Sequence, residues 1–429
     1  MNRTFISQLG PEVLGKAVMV EGWVHEIKRL KSVDFIMIRD KTGIAQVTVK
    51  KDSPLKGFNL ESLNRESVLK VKGLVPEKQI SRNVIEIAAT DIEILNRSAA
   101  PLPLPVAENI ESDLETRLNN RFLDLRRHEN YSIFEVKSSL LWGIRTFLHS
   151  QGFIEVNTPK VVASSTEGGA DLFKVKYFEM DAYLNQSPQL YKEILISSGF
   201  ERVFEVGPAF RAEKHNTTHH LNEFTSVDIE MGFSDHEDAM LMLEGAVKSG
   251  IENVVKSSTR PSTSSSTSLN VPEVPFPRIE YSRCLELVQA AGEKIEFGSD
   301  FSPEQLRIIG DSYPGFYFIT KWPSELRPFY TMVDPDDETL SNSFDLQFRE
   351  REITSGAQRV HDPEMLRNRF LKKGLKPADF DFYLNSFLYG MPPHAGWGLG
   401  LERLTMILLD LKNIRETSLF PRDRTRIVP

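Results

Sequence analysis

The chain of 429 residues carries 52 Lys and Arg against 60 Asp and Glu, for a net charge of −8, and holds one cysteine, Cys284. That length suits two or three domains, and a lone thiol excludes an internal disulfide framework or a Cys-rich zinc site. With 40% hydrophobic and 26% charged residues, and no apolar run approaching a membrane span, a disordered or bilayer-crossing chain is excluded. The opening MNRTFISQLGPEVLG lacks an apolar signal core, so a cytoplasmic location without membrane association is expected.

The charge is unevenly spread. Residues 1–104 hold 16 Lys and Arg against 12 Asp and Glu, a balance of +4 that leaves −12 for residues 105–429. Contact with a polyanion is therefore expected to begin at the N-terminal end.

In chain order, AVMVEGWVHEI, DFIMIRD, IAQVTVK, VLKVKGLV and VIEIAATDIEIL read as five strands, separated by turn signals such as Asp40-Lys41-Thr42-Gly43. Five strands in residues 1–104 predict a small barrel, and both an OB-fold and an SH3-like barrel fit that count. The proline-spaced stretch from Ala99 to Pro105 predicts a stiff boundary, with residues 105–130 as linker and LETRLNNRFLDLRR as a hinge helix.

Residues 131–429 read as a second domain. Apolar residues at 133, 134, 136, 140, 141, 144, 147 and 148 follow helical spacing, Gly152 supplies a stop, and FIEVNTP follows as a strand. Further strands are predicted at RVFEVGPAF, EFTSVDIEMGF, FYFIT and SFDLQF, with helices around 237–255 and 401–412. Without regular strand-helix alternation, this predicts an α+β domain with a mainly antiparallel sheet flanked by helices. An insertion is expected around 235–275, where ten of the twelve residues 257–268 are Ser or Thr and read as a surface loop.

Three segments could carry chemistry. Gly152-Phe-Ile-Glu-Val-Asn-Thr-Pro159 joins a helix to a strand that ends at proline. Val206-Gly-Pro-Ala-Phe-Arg211-Ala-Glu213 delivers a guanidinium and a carboxylate two residues apart, hence on one strand face, before the loop KHNTTHHLN and Glu223-Phe224. Gly396-Trp-Gly398-Leu-Gly400-Leu-Glu402-Arg403 runs into the apolar helix LTMILLDL; it is neither a Walker loop nor a Rossmann turn. Taken singly, each also reads as ordinary structure: a helix-strand junction, an Arg-Glu pair, a glycine-rich helix start.

In this order and spacing, the three segments, with His220 and Phe224 four apart, resemble the signature motifs of the class II aminoacyl-tRNA synthetases. EGGADLF, QSPQLYKE, SFDLQFREREITSGAQR and YGMPPHAGWGLGLERL narrow the resemblance to the aspartate/asparagine/lysine subgroup, and within it to the archaeal-type aspartyl-tRNA synthetases, over essentially the whole chain. The resemblance implies that the barrel is an anticodon-binding OB-fold. It implies activation of L-aspartate by ATP to aspartyl-adenylate with release of pyrophosphate, then transfer to the 3′-end of tRNA(Asp). Mg²⁺ and an isologous homodimer built on the first motif are implied as well.

Site residues follow from the same resemblance. Arg211 would contact the α-phosphate, Glu213 the adenine amine, His220 the γ-phosphate, while Phe224 and Arg403 would cover the two adenine faces, with Gly400 beside the nucleotide. His215 and His219 read as solvated loop residues. Glu352, Ser355 and Asp345 match magnesium positions, although Asp345 also reads as a strand-surface charge. Glu167, Gln189 and Asp228 match the α-ammonium site, Ser187 lies on a QSPQ strand shaping the pocket, Ser355 borders it, and Lys192 and Arg359 match the clamp on the side-chain carboxylate. Two buried cations left uncompensated by a neutral amide would reject asparagine.

In the barrel, Lys28, Phe35 and Gln46 match anticodon-contacting positions, although the alternation of DFIMI would also place Phe35 in the core. Arg29 and Lys31 depart from the family's usual Asp and Gly. His25 stands where enzymes strict for tRNA(Asp) often carry tryptophan; histidine there is associated with charging tRNA(Asn) as well. Three rivals remain. An asparaginyl-tRNA synthetase shares the motifs. An ammonia-dependent asparagine synthetase lacks the barrel of residues 1–104. A non-catalytic RNA-binding relative would have lost Arg211, Glu352 or Arg403, all of which are present.

Overall fold

Alternating burial folds the first hundred residues into a closed five-stranded barrel in the computed structural model, which describes residues 2–428 except 52–54, 56–59, 79–83, 108–109, 164–171, 215–216 and 258–269. The strands are β1 (Ala17–Arg29), β2 (Val33–Asp40), β3 (Gly43–Lys50), β4 (Val68–Leu74) and β5 (Glu86–Asn96), neighbouring in the order β1-β2-β3-β5-β4, with β4 returning to β1. Only β3 and β5 pair in parallel. Val18, Val20, Val24, Ile36, Ile38, Val47, Leu69, Val71 and Ile87 fill the interior. β1 spans two partners, β4 along its first half and β2 along its second, and a bulge at His25 lets it turn between them.

The second compact unit runs from Arg117 to Pro429. The helices are α1 (Leu114–Asn119), α2 (Arg121–Asp124), α3 (His128–Ser150), α4 (Gln189–Ser197), α5 (His236–Lys256), α6 (Tyr281–Ala290), α7 (Pro303–Ser312), α8 (Pro363–Lys372), α9 (Asp381–Leu388) and α10 (Leu401–Leu408). Two short strands, β6 (Ile154–Glu155) and β7 (Val161–Val162), precede the hairpin β8 (Lys174–Tyr177) and β9 (Met180–Leu184). Then come β10 (Arg202–Phe210), β11 (Glu223–Gly232), β12 (Arg278–Glu280), β13 (Phe316–Thr320), β14 (Ser343–Phe348), β15 (Arg351–Gln358) and β16 (His394–Gly400). Eight of these form one sheet in the order β12-β13-β14-β15-β16-β11-β10-β6, antiparallel throughout its middle and parallel at its two end pairs. The expected mainly antiparallel α+β domain is therefore what folds.

Two expectations about the periphery change. Residues 117–130, read as a hinge, are tied into the second unit: Arg117 pairs with Asp124 at 2.9 Å and Glu416 at 3.0 Å, and buried Arg121 pairs with Asp124 at 2.5 Å and donates to the Ser418 and Leu419 carbonyls. The segment read as an insertion opens with α5, a core helix capped by Asp235, which accepts from the amides of Glu237 and Asp238. α5 packs on α3 so closely that a Cβ on Gly143 would stand 2.5 Å from the Ser249 carbonyl oxygen. Together α3 and α5 bury one face of the sheet against Val227, Ile229, Met231, Trp397 and Leu399. The Ser/Thr tract lies outside the described residues, apart from Ser257.

Candidate active site

Since α3 and α5 cover one face, the alternate residues of β11, Ser226, Asp228 and Glu230, belong to the other face of the sheet. Register extends that row across four strands, with Asp228 opposite Gly398, Gly398 opposite Ser355, and Ser355 opposite Asp345. The glycine-rich segment enters α10 as a strand, not as a loop. A Cβ on Gly396 would stand 2.2 Å from the Ile229 carbonyl oxygen and 2.4 Å from Glu230 Oε2, so this glycine makes room for one of the protein's own carboxylates.

Glu352 and Ser355 are three apart and would face opposite sides of a regular strand. In β15, Ile353 is the extra residue of a bulge opposite Leu346 and Gln347, and both Glu352 and Ser355 line the cleft. Asp345 sits beneath, buried, with Arg327 contributing paired contacts at 2.7 and 3.2 Å and Ser355 Oγ donating at 2.7 Å. Asp345 is thus not the strand-surface charge of the alternative reading, and it does not line the cleft. Enclosure in the cleft, followed by the charge of Asp345, raises the Glu352 pKa against the pull of Arg403 and Arg327. Arg403 lies 3.6 Å from Glu352, and its neighbour Glu402 anchors α10 by accepting from Lys137 and from the Thr225 amide.

Arg211 and Glu213 lie just past the end of β10, not within it as expected, and the loop replaces strand pairing with Asn222. The Asn222 side chain donates to both carbonyls, at 2.6 and 3.2 Å. Both residues still line the cleft, with the Arg211 guanidinium 5.4 Å from the centre of the Phe224 ring. His220 also lines it, held by Thr217 at 2.7 Å. Burial first, then Arg403, His219 and Arg211, lower the His220 pKa despite the opposing charge of Glu213. His219, read as a solvated loop residue, lines the cleft too; Glu167 and His215 lie outside the described residues.

Ser187 belongs to a loop, not to the strand expected for QSPQ. Its Oγ accepts from the Gln189 amide at 3.3 Å where α4 begins. One helical turn on, the Lys192 ammonium donates to Asp228 Oδ1 and to the carbonyls of Ile229 and Trp397 at 3.1–3.2 Å, and lies 3.4 Å from Glu230. Those contacts account for its three hydrogens, and Lys192 does not line the cleft. Arg359 does, and it grips Glu230 with Nε and Nη2 at 3.0 and 3.3 Å. Burial alone would raise the Glu230 pKa, but Arg359 and Lys192 outweigh it and hold the group below the usual carboxylate range. The two cations therefore face carboxylates, which corrects the expectation that they would be left uncompensated by asparagine.

Against this geometry, residues 113–424 match the family of class II tRNA synthetases (D, K and N), and residues 18–95 match the OB-fold nucleic acid binding domain. The chain belongs to the class II tRNA synthetases of the D, K and N group. Relatives of this synthetase include an aspartate–tRNA(Asp) ligase of Thermoplasma volcanium, 61% identical over the full length of both chains. An aspartate–tRNA(Asp/Asn) ligase of Archaeoglobus fulgidus is 48% identical, also over both full lengths. Among solved structures, asparaginyl-tRNA synthetase from Pyrococcus horikoshii with asparaginyl-adenylate superposes with a TM-score of 0.94 at 34% identity over all of both chains. Aspartyl-tRNA synthetase from Entamoeba histolytica does so at 0.84 and 33%, covering 100% of this chain and 93% of that one.

The synthetase's OB barrel, resolved in favour of the OB-fold by the family match, presents the expected anticodon positions on its outer surface. Lys28 and Thr48 flank Phe35 in register, and Gln46 lies opposite Met37. Phe35 is half-buried between buried neighbours in alternation, which sets it on the outer face and not in the core. His25, the bulge residue, meets Arg39 at 3.0 Å through Nδ1, and Arg39 is itself fixed by Glu66 at 2.9 and 3.1 Å.

Several residues of the synthetase at or beneath the cleft were not singled out from sequence: Arg327, which lines it, and the buried Glu230, Glu193 and His394. Glu230 carried a usable signal, since it lies two residues beyond Asp228 and so shares its strand face. Among the described residues no cluster of three metal-ligating side chains occurs, and no helix is long and apolar enough to cross a membrane.

Proposed function

We propose that the protein activates L-aspartate with ATP and esterifies it to tRNA(Asp). The observation that carries this reading is the convergence of Arg211, Glu213, Phe224, Glu352 and Arg403 on one cleft whose floor holds Arg359 and the buried Lys192 cluster. In the first step the aspartate α-carboxylate attacks the α-phosphorus and pyrophosphate leaves. Arg211, at the α-phosphate, and Arg403, reaching the γ-phosphate over the adenine, offset the charge that develops. Glu213 accepts from the adenine amine, and Phe224 supplies a stacking face. In the second step the ribose 3′-hydroxyl of tRNA takes the aspartyl group and AMP departs.

Arg359 selects the side chain. A guanidinium offers hydrogens only, so a carboxylate fits and the NH₂ end of an asparagine amide does not. Lys192 acts from below by holding Asp228 and Glu230 in place. Mg²⁺ suits the hard oxygens of Glu352 and Ser355, which line the cleft together, and Asp345 holds Ser355 there. When bound, the ion supplies charge neutralisation on the phosphates. A homodimer and a cytoplasmic location accompany this reading. Aspartate-dependent exchange of pyrophosphate into ATP tests it.

Two further results are expected. With its pKa lowered, His220 is neutral in the ligand-free cleft at pH 7, and the γ-phosphate should raise its pKa again. ATP binding near pH 6.5 should then be accompanied by proton uptake, measurable by titration calorimetry in buffers of different ionisation enthalpy, and lost in His220→Asn. For the acceptor, the His25 reading predicts aspartylation of both tRNA(Asp) and tRNA(Asn) transcripts. Activity confined to tRNA(Asp) would sink that reading and leave the activation chemistry untouched.

A further inference from the structure

Beneath the cleft, fully buried Glu193 meets three polar side chains. Gln189 Nε2 reaches its Oε1 at 2.6 Å, while Tyr383 Oη at 2.6 Å and His394 Nε2 at 3.1 Å reach its Oε2. The other ring nitrogen of His394, Nδ1, lies 2.8 Å from the Pro392 carbonyl oxygen. A carbonyl only accepts, so Nδ1 carries a hydrogen. A neutral ring would then turn the Nε2 lone pair toward a carboxylate oxygen, leaving two acceptors in contact. One proton on the line between Nε2 and Oε2, carried by either group, removes the clash and makes this contact a hydrogen bond that ties His394 to Glu193.

The consequence reaches the cleft through Gln189. Glu193 Oε1 carries no proton in either case and only accepts, so it takes the NH₂ end of the Gln189 amide and leaves the amide oxygen as the remaining polar atom. Gln189 lines the cleft. A carbonyl oxygen presented there is an acceptor matched to an ammonium group, whereas a flipped amide would present hydrogens and repel one.

We propose that His394 is a positioning residue for the substrate's α-ammonium group: through Glu193 it locks the Gln189 amide with its oxygen toward the cleft. Tyr383 shares the task through its own bond to Glu193 Oε2. This inference rests on the aspartate-activation reading, in which the ammonium group is the part of the substrate that Gln189 meets.

The test is pyrophosphate exchange by the full chain, with aspartate and ATP varied separately and succinate, which has both carboxylates and no ammonium, as a competing ligand. His394→Gln should raise the aspartate KM about tenfold and Tyr383→Phe about threefold, while the ATP KM and the succinate Ki stay within about twofold of the parent protein. Tyr383→Phe keeps its ring in place and carries the test should His394→Gln unfold. An unchanged aspartate KM in the folded variants overturns the proposal. So does a parallel rise in aspartate KM, ATP KM and succinate Ki, which is what general loosening of the cleft would give. Absence of aspartate-dependent exchange in the parent protein is a separate outcome; it refutes the functional reading before any variant is compared.

Discussion

Arg211→Ala lowers aspartate-dependent pyrophosphate exchange by about a hundredfold to a thousandfold, the range typical for removing one donor aimed at charge that develops in a transition state. Its guanidinium stands beside the Phe224 ring in the cleft, and its backbone amide and carbonyl both engage Asn222. The substitution keeps those backbone bonds, and an unchanged melting temperature is the control that the fold is intact. Rapid-quench measurement of adenylate formation at saturating ATP separates the outcomes. A slowed chemical step fits a guanidinium acting on the α-phosphate. A normal step with a raised ATP KM would confine Arg211 to ground-state binding.

Lys192→Leu has a double effect. Asp228 and Glu230 are both buried, and with the ammonium gone Glu230 keeps Arg359 while Asp228 loses its cation and keeps the Ser226 hydroxyl. Removing one partner from a buried ionic cluster costs about 3–5 kcal/mol, which chemical denaturation can measure. In the folded fraction the aspartate KM should rise about tenfold or more while the ATP KM changes little, because the cluster underlies the amino-acid end of the cleft. An unaltered aspartate KM together with lost stability would make Lys192 a structural residue alone.

The legibility of this molecule from sequence followed how local each signal was. RVFEVGPAF, FYFIT and SFDLQF fold as β10, β13 and β14 without adjustment, because branched and aromatic residues bounded by turns specify strands by themselves. β16 was hidden, since His-Ala-Gly-Trp-Gly-Leu-Gly has weak strand propensity and takes its conformation from register with β11 and β15. β15 was hidden for another reason: its bulge at Ile353 breaks the two-residue alternation that reading depends on. Arg211, Glu213, His220, Phe224, Glu352 and Arg403 could be gathered because the motif spacing spans the chain, and the structure brings them to one cleft. What sequence could not convey was which charges neutralise each other. Lys192 and Arg359 read as a pair of free cations until β11 supplied Asp228 and Glu230 two residues apart on the facing row. The same limit applied to His394, whose two ring nitrogens meet the Pro392 carbonyl and the distant Glu193.

Amino-acid-dependent pyrophosphate exchange, with aspartate and asparagine compared at equal concentration, tests the central claim most directly. Arg359, presenting only hydrogens to the side chain, predicts strong exchange with aspartate and at least about a hundredfold less with asparagine in kcat/KM. Equal exchange with the two amino acids, or exchange driven by asparagine, would contradict the assignment of this cleft to aspartate.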